Sequence, residues 1–246
     1  MRSIGFSTGA LALGDFQRAL GMIQGKCTAV ELSALRKHEL LPLIDALPTL
    51  DLTGFSHISV HVPSSMNPEF ERVAVAKLEE VARRGWLMVV HPDIIRDDAC
   101  WRPFGDLLCI ENMDKRKPIG QTACQLQKIF ERLPNASFCL DLGHAHQVDP
   151  TMTEAFLILQ QLSPRLRQMH VSEVSSDSRH GELTLEACIA FKKMAEVLPR
   201  DLPTIIESRV PSADIDREIR LVREIFDGRA EAAARQCAQS PSPVFA

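Results

Sequence analysis

Histidines and carboxylates stand at the ends of short apolar runs in this chain. Val60-His61, Val90-His91-Pro92, Ile110-Glu111-Asn112, Leu140-Asp141-Leu142-Gly143-His144, Met169-His170 and Ile206-Glu207-Ser208 each close an aliphatic segment with a side chain able to ligate a metal. Mixtures of carboxylate oxygen and imidazole nitrogen hold hard or borderline divalent ions and leave positions open for water and substrate. A single histidine at the end of one run is ordinarily a hydrogen-bonded structural residue. Repetition at equivalent places changes that reading, because several carboxylates buried without a cation would be costly. The pattern predicts a site for divalent cations, zinc or manganese first, with magnesium or cobalt as substitutes.

The runs that must position these groups are residues 3–6, 29–32, 58–61, 87–91, 107–111, 137–141, 168–171 and 204–207. Between them lie stretches whose apolar residues return every three or four positions, at 67–84, 119–133, 153–162 and 183–198. Strand then helix, repeated, is the pattern of a parallel sheet. Continuous rather than alternating apolar strands are buried on both faces, and eight of them in 246 residues predict an α/β fold closed as a single (β/α)8 TIM barrel. An open doubly wound sheet is the alternative, but Gly5-Phe6-Ser7-Thr8-Gly9 lacks the glycine spacing of a dinucleotide fingerprint. The barrel is expected to span 1–228, with a short helix end and flexible tail at 229–246. In such a barrel the C-terminal strand ends converge on one mouth, so groups 20 to 40 positions apart in sequence become neighbours.

The pieces Ile110-Glu111-Asn112, Cys139-Leu140-Asp141-Leu142-Gly143-His144-Ala145, Met169-His170 and Ile205-Ile206-Glu207-Ser208, taken in order, resemble the xylose-isomerase-like barrels. That superfamily includes sugar (phosphate) isomerases, ketose epimerases, inosose dehydratases and the endonuclease IV type of abasic-site nuclease, AP endonuclease family 2. The resemblance runs from about Ile4 to Arg209. It implies that Glu111, Asp141, His170 and Glu207 form a shared metal tetrad, and that His61, His91, His144 and His180 stand where the nuclease branch builds further metal sites. One departure follows strand seven, where the nuclease has an Asp-x-His pair and this chain has Ser178-Arg179-His180, with Asp177 one residue out of step.

Other polar residues carry weaker expectations. Glu31 and Arg36 flank the end of strand two, where each would either touch substrate at the mouth or form an internal ion pair. Lys115, Arg116 and Arg209 follow strands five and eight, where cations hold a phosphate or carboxylate. His146 is expected in a solvated loop after strand six, His57 just before strand three, and His38 on an exposed helix. Trp86 and Trp101 are expected to serve packing.

The leading expectation is a metal-dependent isomerase or epimerase acting on a small sugar, polyol or sugar phosphate. Glu111 and Glu207 would be its catalytic residues, moving a proton next to a metal-bound carbonyl. A metal-dependent phosphodiesterase of the endonuclease IV type is the alternative, and a non-catalytic metal-binding barrel is the third reading. The net charge of −4 gives no general attraction for nucleic acid, so a small carbohydrate-like substrate is the expected partner, with nucleic acid second and the oligomeric state open. Seven scattered cysteines without a CxxC pair read as reduced thiols. No long apolar stretch or secretory leader stands out, which gives a cytoplasmic expectation and no membrane partner.

Overall fold

The computed structural model describes residues 2–228. The tail expected at 229–246 lies outside the described residues. Eight parallel strands close into a barrel: β1 (Ile4–Ser7), β2 (Ala29–Ser33), β3 (His57–His61), β4 (Leu87–Val90), β5 (Leu108–Glu111), β6 (Ser137–Asp141), β7 (Leu166–Val171) and β10 (Thr204–Ile206), with β10 pairing both β7 and β1. Between β7 and β10 the chain inserts a small antiparallel hairpin, β8 (Glu173–Val174) and β9 (His180–Gly181). No helix among the described residues is long and apolar enough to cross a membrane.

The strands are buried along almost their whole length, as continuous apolar runs require. Around them lie α1 (Thr8–Ala12), α2 (Phe16–Ile23), α3 (Lys37–Ala46), α4 (Pro68–Arg83), α5 (Asp98–Trp101), α6 (Ala123–Arg132), α7 (Leu142–Val148), α8 (Thr153–Leu162), α9 (Leu185–Met194) and α10 (Ile215–Phe226). Helix boundaries follow capping chemistry more closely than periodicity. Asn67, Thr122 and Thr184 each accept a backbone N–H from the first turn of α4, α6 and α9, so these helices begin later than their apolar spacing suggests. Gly85, at φ 71°, follows the last turn of α4 in the left-handed conformation that glycine adopts at little cost.

Two expectations are corrected here. His146 is not in a solvated loop: it lies on α7, buried, with its ring 6.0 Å from that of Phe191. His57 does not precede its strand but opens β3, half-buried. The tryptophans pack as expected. Trp101 is fully buried and its indole donates to Glu71 at 2.9 Å, while the Arg84 guanidinium sits over Trp86.

Gly5 is the glycine at which an added side chain would meet its neighbour most closely. A Cβ there would lie 1.6 Å from the Ala29 carbonyl oxygen of β2, an overlap with backbone that no rotamer relieves. Gly5→Ala is therefore expected to cost more than the roughly 1–3 kcal/mol of ordinary overpacking and to abolish cooperative thermal unfolding of the barrel. Circular dichroism melting checks this; a variant that melts like the parent would mean that β1 and β2 separate without penalty.

Candidate metal centre

Barrel geometry brings the strand-end groups together at one mouth. His61 ends β3, His91 follows β4, Glu111 ends β5, Asp141 ends β6, His170 lies one residue from the end of β7, and Glu207 follows β10 with its N–H still bonded to Val171 at 3.0 Å. Asp141 also begins α7, accepting the His144 N–H at 2.6 Å, so a strand ligand and a helix histidine are fixed by one cap. Asn112 grips Asp141 from the next strand, donating to its carbonyl at 2.9 Å and accepting its N–H at 2.7 Å.

Glu111 is the hub. Its Oε2 lies 3.3 Å from His61 Nε2 and 3.1 Å from His91 Nε2, and its Oε1 lies 3.1 Å from His170 Nδ1. Around His170 Nδ1 stand Glu207 at 3.6 Å and Asp141 at 3.9 Å. Three overlapping groups result, each with its ligand atoms within 4.8 Å of one another: His61, His91 and Glu111; Glu111, Asp141, His170 and Glu207; and Asp141, His144 and His180. Glu111 and Asp141 each belong to two of them. A fourth group joins Glu31, His61 and Glu207.

The donor set fits divalent cations on two further observations. Three of the histidines commit one ring nitrogen to a protein acceptor and turn the other toward a carboxylate: His61 Nδ1 to the Val62 carbonyl at 2.8 Å, His144 Nδ1 to the Asn112 carbonyl at 2.9 Å, and His170 Nε2 to Glu31 at 3.1 Å. The His180 ring is held by Ser172 Oγ, 2.8 Å from its Nδ1. Metal-ligating imidazoles are fixed in this way. In addition, Asp141 Oδ2 is buried without a hydrogen-bond partner and faces the His144 and His170 rings. A carboxylate oxygen left so is expensive unless a cation satisfies it.

Without a cation, protons must balance the charge. Burial opposes ionisation of Glu111, but the facing imidazoles of His170, His61 and His91 hold its carboxyl well below the usual range. Burial likewise opposes charge on His61, yet its hydrogen bond to Glu111 and the nearby Glu31 carboxylate raise it to about 9. His170 is raised well above its ordinary value against the same burial, by Glu31, Glu207 and Glu111. Burial pushes Glu207 up to about 7, with the Glu111 and Asp141 carboxylates adding to it. Burial wins at His91, lowered to about 4, and at His180, lowered to about 3 with help from the His144 charge.

A cavity of about 330 Å³ opens above the cluster, with His61, His91, Glu111, His144, His180 and Glu207 on its lining and Arg36, Arg116, Lys117, Arg179 and Arg209 among the rest. Of the residues expected to meet substrate, Arg36, Arg116 and Arg209 line this cavity. Lys115 does not: it is exposed, and Lys117 takes the lining place instead, held by Asp93 and the Ser64 carbonyl. Glu31 lies fully buried within the barrel on β2, 3.1 Å from His170, so of its two expected places the internal pairing is the one found and the contact with substrate at the rim is not. Asp177 is exposed, paired with Arg179, and not on the lining of this cavity. Asp114, which sequence reasoning missed, accepts from Ser178 Oγ at 3.2 Å and lies 3.9 Å from His144 Nε2.

No family model matches the chain, and no curated protein sequence is similar to it at a significant level. Solved structures are. The endonuclease IV of Thermus thermophilus superposes with a TM-score of 0.56 at 17% identity, over 94% of this chain and 99% of that one. The probable 3-DHS dehydratase AsbF of Bacillus anthracis, involved in petrobactin synthesis, gives 0.59 at 14% identity, over 90% and 98%. A xylose isomerase-like TIM barrel/4-hydroxyphenylpyruvate dioxygenase fusion protein gives 0.54 at 13% identity, over 99% of this chain and 45% of that one. The fold is the xylose-isomerase-like TIM barrel.

Proposed function

We propose that this chain is a metal-dependent phosphoesterase acting on a small phosphodiester or related phosphate ester, with its cations held by Glu111, Asp141, His170 and Glu207 and by the flanking pairs His61/His91 and His144/His180. The observation that carries the reading is the sharing of Glu111 and Asp141 between adjacent ligand groups, an arrangement suited to several ions side by side. When bound, clustered cations lower the pKa of water and neutralise charge on phosphoryl oxygens. The chain's own residues do the rest. Glu111 keeps the His61/His91 pair and His170 at fixed separation through its two oxygens. Asn112 holds the Asp141 backbone so that its carboxylate stays between the His144 and His170 rings.

Substrate size follows from the cavity and the charge. About 330 Å³ suits a small molecule, and a net charge of −4 offers a duplex no general attraction. At the lining, Arg36 faces Glu39, Arg116 is bidentate on Asp114, Lys117 holds Asp93 and Arg179 holds Asp177. Arg209 has no such carboxylate partner among the described residues and is the cation placed to meet a substrate anion.

The second reading is the isomerase or epimerase, which a single ion can serve. The four-residue group of Glu111, Asp141, His170 and Glu207 favours it. One experiment separates the two: ion count per chain, hydrolysis of bis(p-nitrophenyl) phosphate, and deuterium exchange into a panel of sugars and polyols, all on manganese- or zinc-loaded protein. We expect at least two ions and chelator-sensitive hydrolysis, with His61→Ala/His91→Ala losing one ion and at least about a hundredfold in rate. A single ion together with substrate deuteration would replace the hydrolase by the isomerase.

A further inference from the structure

A carboxylate buried inside a β-barrel needs a physical reason to be there, and Glu31 is wholly buried at the middle of β2. Three donors converge on its Oε2: Gln168 Nε2 at 2.8 Å, Ser59 Oγ at 3.0 Å and His170 Nε2 at 3.1 Å. Gln168 is held in turn, with its Oε1 2.6 Å from His57 Nε2. This polar chain spans the barrel interior from β3 through β2 to β7, and no step of the hydrolysis described above uses it.

We propose that Glu31 is a positioning residue that fixes the tautomer and ring orientation of His170 so that Nδ1 is the nitrogen offered to a cation. The inference rests on reading the cluster as a cation centre, not on the reaction performed there. With a hydrogen on His170 Nε2, the 3.1 Å contact to Glu31 is a charge-assisted hydrogen bond. Without it, a carboxylate lone pair and an imidazole lone pair face each other at 3.1 Å, and the Gln168 amide nitrogen, 3.0 Å from the same ring nitrogen, is already engaged with Glu31 at the shorter 2.8 Å. The same holds at Nδ1, which faces Glu111 at 3.1 Å, Glu207 at 3.6 Å and Asp141 at 3.9 Å, until a cation takes up those three carboxylates; the Nδ1 lone pair then turns to the cation, and Glu31 keeps the remaining hydrogen on Nε2. Ser59 and Gln168 hold the same Glu31 oxygen, so it cannot follow His170 if the ring turns.

The test reads binding and tautomer, not turnover. Cation affinity of the full-length protein, measured by manganese and zinc titration, is expected to fall roughly tenfold to hundredfold in Glu31→Gln, which removes the charge, and in Glu31→Asp, which withdraws the oxygen by one methylene. The number of ions per chain stays at the wild-type value. In ¹⁵N-histidine spectra of the zinc-loaded wild type, His170 is expected to show a protonated, slowly exchanging Nε2 and a ligated Nδ1. This measurement stands even if a variant fails to fold. Wild-type affinity in Glu31→Gln, or zinc on Nε2 of His170, would overturn the proposal. So would the loss of one whole ion with the others bound as before, because Glu31 would then be a ligand itself, in the group it forms with His61 and Glu207. Protein that binds cations normally but hydrolyses no phosphate ester would end the hydrolase reading and leave this one in place.

Discussion

Replacing Glu111 by alanine is expected to remove more metal and more activity than any other single substitution in this chain. Three imidazoles depend on this one carboxylate: His61 and His91 on Oε2, with His170 on Oε1. It belongs to two of the three adjacent ligand groups, so its loss leaves one of them with two histidines alone and the other with three ligands. We expect the ion count to fall by at least one and hydrolysis by at least about a thousandfold. The metal-free protein should also suffer, because removing one partner from a buried charged pair costs roughly 3–5 kcal/mol. Glu111→Gln separates the two effects: it keeps the volume and much of the hydrogen bonding, so it should recover stability without recovering ions. Elemental analysis beside thermal melting checks both. A Glu111→Ala protein with its full complement of ions would show that the carboxylate is only an ion-pair partner of the histidines.

The barrel is legible in the sequence because its signal is redundant. Eight apolar runs, separated by stretches of helical spacing, leave little choice of sheet type, and the six strand ends that carry metal-capable groups are the ones whose side chains meet. Boundaries are less legible, since capping by Asn67, Thr122 and Thr184 is a local hydrogen-bond decision that periodicity does not see. Helix α7 reads as loop because Leu142-Gly143-His144-Ala145-His146 carries a glycine and two histidines, poor helix formers. The Asp141 cap and burial against α8 and α9 override that propensity, and they take His146 out of solvent.

Polar groups within the barrel are the hardest to place. Glu31 stands inside the run Ala29-Val30-Glu31-Leu32, and sequence alone leaves a charge at such a place divided between the mouth and an internal pair. Its partners, Ser59, Gln168 and His170, lie 28, 137 and 139 residues away, so only the closed barrel reveals that the interior can satisfy it. Asp114 escapes notice for a similar reason. It pairs with Arg116 of the basic run beside it, and its carboxylate also reaches Ser178 and His144, which only the folded barrel brings near.

The same balance of protons predicts a stability profile that reverses when metal is added. In the metal-free protein His61 titrates at about 9 instead of its ordinary 6.5, so the stability it contributes is whole below pH 6.5 and is lost as pH rises through 9. His170 and His144, also raised, act in the same direction. The groups with opposite shifts are silent in that window. His91 and His180, lowered to about 4 and about 3, contribute stability that is present above pH 6.5 and lost only as pH falls through those values. The lowered carboxyls of Glu111 and Glu31 contribute stability present above their ordinary 4.5 and lost only in acid. Glu207, raised to about 7, has already lost most of its contribution by pH 7. The loss at His61 alone is on the order of 3 kcal/mol between pH 6.5 and 9, or roughly 10 °C in a domain of this size. Cations compete with protons for these same nitrogens, so their affinity rises with pH, and at a hundred times Kd they add about 2.7 kcal/mol. Thermal midpoints in chelator should therefore fall from pH 6.5 to 9, and those in saturating manganese should hold or rise. Parallel falling curves in both would mean that cations do not displace the His61 and His170 protons, and that the histidines at this mouth are charge partners of the carboxylates rather than ligands.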